Sequence, residues 1–190
     1  MNGVGKGTAH RRITVDDLET LALLVQQRNN LEVEITRIIG RPAQIGHIGE
    51  YIAAKVFRIA LASSATEKGY DGRFEEEPLR GRTVNVKWYA KREGLLDIEP
   101  KALPDFYLVL TGPPGPAGSS KGTSRPWLIS AVFLVDVPRL LEELAKAGVK
   151  VGIATSVRNH VWDAAEVWPN QRNTTLVLTD DQRAMLRLFG

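Results

Sequence analysis

The chain has no cysteine in its 190 residues. That excludes a disulfide framework, a thiolate metal site and a cysteine nucleophile, and it leaves oxygen and imidazole groups to hold any metal. Histidine is nearly as scarce. His10, His47 and His160 are too scattered for a zinc site, although His47 stands three residues before Glu50 and shares a helix face with it. No run approaches the ~20 apolar residues of a membrane-spanning helix. The basic start MNGVGKGTAHRR has no apolar segment of a signal peptide behind it, so a cytoplasmic protein without a membrane partner is expected. Ser130 and Ser156 lack the G-x-S-x-G elbow of a serine hydrolase. The stretch GVGKGT lacks the preceding strand, the glycine spacing and the hydroxyl after Lys6 that a phosphate-binding loop requires.

The composition is that of a folded globular chain, and its length suits one full-size domain. Residues 1–13 are expected to form a flexible tail and 14–190 a single domain. The net charge of +3 is compatible with a polyanionic partner without demanding one. Basic residues gather in KGTAHRR, VKWYAKR and SSKGTSRP, which predicts a patchy basic face.

Helical spacing of Leu18, Leu21, Val25, Leu31, Ile35 and Ile38 predicts one long helix or two in line from about Val15 to Ile39, opened by Thr14 and Asp17 in the manner of a capping box, with Asp in place of the usual Glu or Gln. Gly40 stops it, Pro42 suits the first turn of the next helix, and Ile45, Ile48, Ile52, Val56 and Ile59 line one side of that helix. Its glycines and alanines make it thin, able to lie close against another element. The segments YDGRF, TVNVKWY, DFYLVLTG and WLISAVFLVD then read as strands, with GPPGPAGSSKGTSRP as a surface loop. VPRLLEELAKA reads as an amphipathic helix, VKVGIAT as a strand, and DDQRAMLRLF as a final helix capped by Thr179 or Asp180. The pattern implies an α/β or α+β domain around one central sheet.

The strand TVNVKWY carries the chemistry. If Val84, Val86 and Trp88 face the core, then Thr83, Asn85, Lys87 and Tyr89 face the other way together. Asp71 lies far enough upstream for a hairpin to bring it beside Asn85, and Glu50 sits on the thin helix before it. Two carboxylates, an amide oxygen and an ammonium would then converge, an oxygen-rich group suited to Mg²⁺. The alternative is structural: an Asx turn at Asp71, an ion pair of Glu50 with Lys55, and an Asn85 that caps a strand neighbour.

In that order, GHIGEYIAAKVF, KGYDGRF, VNVKWY and PDFYLVLTG resemble the restriction-endonuclease-like nuclease superfamily, whose signature is written PD-(D/E)xK, and in particular uncharacterised bacterial domains within it. The resemblance covers about residues 45–111. It implies a restriction-endonuclease-like core with a central mixed sheet flanked by helices, here preceded by the long N-terminal helix. It implies Asp71 as principal metal ligand, Lys87 as the signature lysine, Glu50 as the helix glutamate, and the Val86 carbonyl as a further ligand. Asn85 stands where the family usually has Glu, Asp or sometimes Gln, which leaves two carboxylates instead of three. The implied activity is Mg²⁺-dependent hydrolysis of DNA phosphodiesters, duplex DNA before RNA, with Mn²⁺ able to substitute. Lys91, Arg92, Lys121, Arg125 and Arg158 are candidates for phosphate contacts. A homodimer through the N-terminal helices would suit cutting of both strands. A catalytically inactive nucleic-acid-binding or protein-interaction module is the alternative.

Overall fold

The computed structural model describes residues 15–62, 69–115 and 125–190. The expected tail, the GVGKGT stretch, Thr14 and Lys121 lie outside the described residues. The chain divides into two compact units, 1–43 and 44–190.

In the first unit, helix α1 spans Val15–Ile39. Asp16 and Asp17 in its first turn and Arg37 in its last complement the helix dipole. Gly40 ends it in the left-handed region (φ 72°), with its N–H on the Thr36 carbonyl at 2.8 Å. None of its residues is buried.

The second unit runs α2 (Ile45–Phe57), β1 (Ile59–Leu61), β2 (Gly72–Phe74), β3 (Thr83–Tyr89), β4 (Leu95–Leu96), β5 (Phe106–Thr111), β6 (Ala131–Asp136), α3 (Val137–Lys146), β7 (Thr155–Ser156), α4 (Asn159–Ala165), β8 (Glu166–Trp168) and α5 (Asp180–Arg187). The main sheet has the order β1-β2-β3-β5-β6-β8. It is mixed, because β3 and β5 are parallel and every other pair is antiparallel. β4 and β7 form a small separate ribbon.

Burial divides along the two faces of this sheet. β3 alternates half-buried and buried residues, as a period-2 strand between unlike environments should. Val84, Val86 and Trp88 join Phe106, Leu108 and Leu110 of β5 in a core that includes Ile52, Ala53, Val56 and Phe57 of α2 and Leu186 of α5. Tyr107 and Val109, on the opposite face, pack with Leu140 and Leu144 of α3, Trp162 of α4, and Leu96 and Ile98. β5 is buried at every position because helices cover both its faces.

The thinness expected of α2 has a specific use. A Cβ at Gly49 would stand 3.1 Å from the Cβ of Trp88, so glycine lets the helix lie directly on β3. The Trp88 indole N–H donates to the Leu128 carbonyl at 3.2 Å, and its ring lies 6.4 Å from that of Trp127.

Several expectations need correction. Pro42 lies outside α2, whose N-cap is Gln44. VKVGIAT is not a strand. Its valines are half-buried against the second core, but Ala154 takes φ 55° and the Thr155 hydroxyl donates to the Gly152 carbonyl at 2.6 Å, so the segment turns and only Thr155 and Ser156 pair. The strand expected from WLISAVFLVD begins at Ala131. The final helix is capped by Thr179 in a full capping box with Gln182.

Candidate functional site

β2 and β3 form the hairpin that the spacing of Asp71 and Asn85 requires, but they pair only through Gly72–Val84 and Arg73–Thr83. Beyond that point Asp71 takes over the ladder. Its N–H donates to the Val84 carbonyl at 2.9 Å, and its Oδ2 accepts from the Val86 N–H at 2.7 Å. A carboxylate therefore stands where the next strand carbonyl would be. The chain leaves the sheet here because Gly69, with φ 96°, turns against Ala102 so closely that a Cβ would lie 2.3 Å from the Ala102 carbonyl oxygen.

In an extended strand the N–H and C=O of one residue point to the same edge. The Val86 carbonyl thus faces the notch that Asp71 borders. The β2–β3 register ends at Gly72–Val84, and the Asp71 N–H shares the Val84 carbonyl at that end. Asn85 is half-buried, and its Oδ1 is fully buried with no hydrogen-bond partner among the described residues. Leaving a buried acceptor unsatisfied costs about 1–3 kcal/mol, so this oxygen is an anomaly that local packing does not repair. Lys87 follows on the same face, half-buried, with Val109 beside it on β5.

Asp71 is therefore brought to the Val86 backbone, and Asn85 and Lys87 share one face of β3. Glu50, expected from the sequence to join this group, lies on α2. It is half-buried there, and α2 packs on the face that carries Val84, Val86 and Trp88. Among the described residues, no three His, Cys, Asp or Glu side chains gather into a metal-sized group. No described helix is long and apolar enough to cross a membrane.

The chain matches no protein-family model and no curated protein.

The basic residues named from the sequence have mixed surroundings. Lys91 and Arg125 both pair with Glu93, at 3.4 and 3.2 Å. The Arg92 guanidinium lies over the Phe133 ring, 5.6 Å from its centroid. Arg158 is exposed at the N-cap of α4. Glu93 was not among the sequence candidates, although its place directly after Lys91 and Arg92 was the available signal.

A second group missed from the sequence straps residues 95–99 across the Asn85–Lys87 face. The Tyr89 hydroxyl accepts from the Asp97 N–H at 3.0 Å, and the Tyr107 hydroxyl meets the backbone of Glu99. Burial raises both phenols, Tyr107 to about 12, with its bond to the Glu99 backbone acting in the opposite direction. Both hydroxyls stay protonated at neutral pH. At the start of β3, Asp105 accepts from the Thr83 N–H and hydroxyl, each at 2.7 Å, and pairs with Arg82 at 2.9 Å. Desolvation would raise the Asp105 pKa, but the Thr83 bonds and the Arg82 charge outweigh it and hold the carboxyl below its usual value.

Proposed function

We propose that this chain is a metal-dependent endonuclease that hydrolyses DNA phosphodiester bonds, with a restriction-endonuclease-like PD-(D/E)xK core of restriction or defence type. The observation that carries the reading is the buried Asn85 Oδ1, without a hydrogen-bond partner among the described residues, on the strand whose Val86 N–H is held by the Asp71 carboxylate. The order of elements supports it: a helix, an antiparallel hairpin bearing the Asp and the Asn-x-Lys, then a strand parallel to the second hairpin arm.

The donor set fits a hard cation, because Asp71, the Asn85 amide and the Val86 carbonyl offer only oxygens. Mg²⁺ or Mn²⁺ held there would neutralise charge on the scissile phosphate and lower the pKa of a bound water. The rest falls to the chain. Asp71 binds and also fixes the β3 backbone, so the two strands stay in register as substrate arrives. The Lys87 ammonium lies one pleat from Asn85 and would stabilise negative charge developing on the phosphate oxygens. With two carboxylates at most, substrate phosphate completes the site.

The test is cleavage of supercoiled plasmid and linear duplex over a panel of divalent metals. Lys87→Ala and Asp71→Asn are expected to lower the rate at least ~100-fold, in the range of lost electrostatic stabilisation, with folding preserved by circular dichroism. Equal activity in wild type and both variants would show that a contaminant cuts. No cleavage by wild type under any metal would favour the second reading, a binding module that keeps the scaffold. The neutral Asn85 and the absence of a three-ligand group among the described residues are the observations that favour this alternative. It predicts salt-sensitive DNA binding without a product.

A further inference from the structure

Past the carboxyl ends of the parallel strands β3 and β5, two loops and the start of α4 enclose a cavity of about 190 Å³. Backbone bonds fix its walls. The Arg92 N–H donates to the Pro113 carbonyl and the Gly115 N–H to the Arg92 carbonyl, each at 3.1 Å, and the Val157 N–H donates to the Gly94 carbonyl at 2.9 Å.

Two donors on these walls lack an acceptor. Arg92 is half-buried, its guanidinium lies over the Phe133 ring at 5.6 Å from the centroid, and it has no carboxylate or carbonyl partner among the described residues. Trp162 is 1% exposed, and its indole N–H is buried with no hydrogen-bond partner among the described residues. The Trp162 ring meets the same Phe133 ring edge-on, with centroids 5.0 Å apart. Both side chains thus converge on one aromatic ring beside one cavity. Buried donors are nearly always satisfied, by the protein, by water or by an ion, so the pair asks for an acceptor from outside the chain.

We propose that this cavity binds a phosphate group. Charge favours an anion. Glu93 also lines the cavity, but Lys91 at 3.4 Å and Arg125 at 3.2 Å hold its carboxylate, so with Arg92 three cations stand against one anion. Geometry favours a tetrahedral oxyanion: the guanidinium fork takes two oxygens, which leaves another for the indole N–H, a group that can only donate. A neutral carbonyl would leave the guanidinium charge unmatched. The cavity is smaller than the roughly 300–1,000 Å³ that encloses a drug-sized ligand, so the phosphate enters and whatever carries it stays outside. Free phosphate and the terminal phosphate of a nucleic-acid strand share this chemistry. Both donors lack a partner whatever β3 does, so the site stands apart from nuclease activity.

The indole N–H reports on the site directly. Of the four tryptophans, Trp162 is the one that lines the cavity, so inorganic phosphate added to the full chain should move its indole resonance in a proton–nitrogen correlation spectrum and leave the other three in place. Arg92→Gln should weaken phosphate binding about tenfold or more by calorimetry, the scale of a lost charge-assisted hydrogen bond. Arg92→Lys keeps the charge and loses the fork, and should fall between. Both variants should keep the near-ultraviolet dichroism of the wild type. A Trp162 resonance unmoved by millimolar phosphate overturns the site, a result that needs no variant to fold. An Arg92→Gln chain that folds and binds as tightly as wild type overturns it too. A terminally phosphorylated oligonucleotide that moves the same resonance, where its unphosphorylated counterpart does not, assigns a strand end as ligand. A response to free phosphate alone assigns a small ligand, and either result upholds the site.

Discussion

Asn85 concentrates the conflict between stability and use in one side chain. Its amide oxygen is buried and has no partner among the described residues, and an orphaned acceptor costs about 1–3 kcal/mol. If that oxygen serves a ligand, the near-isosteric Asn85→Leu should stabilise the fold while destroying function. The expected gain is about 1 kcal/mol, read as a rise of about 2–4 °C in the thermal midpoint for a chain of this size, with plasmid cleavage lost. A variant that is less stable than wild type would instead mean that the amide makes an essential structural contact. Asn85→Asp would act the other way: a third carboxylate strengthens cation binding, and its uncompensated charge weakens the metal-free fold.

At the scale of elements, the strap over residues 95–99 hangs on two phenols that emerge from neighbouring strands. A phenol whose pKa is raised in the folded state contributes stability that is present below its ordinary value and is lost as pH climbs through the folded one. For Tyr107 the window is pH 10.0 to about 12. Alkaline titration followed by chemical denaturation should therefore show stability falling across that window, and Tyr107→Phe should flatten the fall because nothing remains to ionise there. An unchanged slope in the variant would assign the loss to other groups. The strap was invisible in the sequence, since Leu95 and Leu96 are too few to show a period and their partners Ser156 and Thr155 lie far along the chain.

The hairpin of β2 and β3 was legible for the opposite reason: TVNVKWY alternates cleanly because its two faces meet different neighbours. The extent of α1 was legible, though not whether it was one helix or two in line, and α5 announced itself through a cap at Thr179 or Asp180. α4 and β8 escaped notice because they follow one another without a break at Ala165 and Glu166, leaving no turn residue to mark the boundary. In the candidate site, the hairpin that carries Asp71 and Asn85 followed from their spacing. The face on which α2 packs did not, because that is a tertiary fact. Here it rests on Gly49 against Trp88.

On the scale of the whole second unit, the core beneath α2 is completed from the far end of the chain. The Gln182 side chain donates to the Val56 carbonyl at 2.9 Å, and Leu186 is 0% exposed in the core that contains Ile52 and Val84. Leu186→Ala should cost about 2–5 kcal/mol, the range for a buried leucine whose cavity cannot collapse. The loss should appear as a lower denaturation midpoint with the same slope, provided that the unit unfolds as one. Two transitions would show that α5 melts separately from the sheet it covers. Thr179 and Gln182 would continue to start the helix in this variant, so the change isolates the core contact from the cap.

The close seat of Trp88 has a use at the bench. Its indole and that of Trp127 stand 6.4 Å apart and inclined by 56°, close enough for their excited states to couple. α2 rests on one of these rings through Gly49, and the same ring is tethered to the Leu128 carbonyl. The pair is thus a built-in optical gauge, placed where the helix that carries Glu50 meets the strand that carries Lys87. A shift of that helix against that strand would register as an exciton signal, without a label and without waiting for the rest of the unit to unfold.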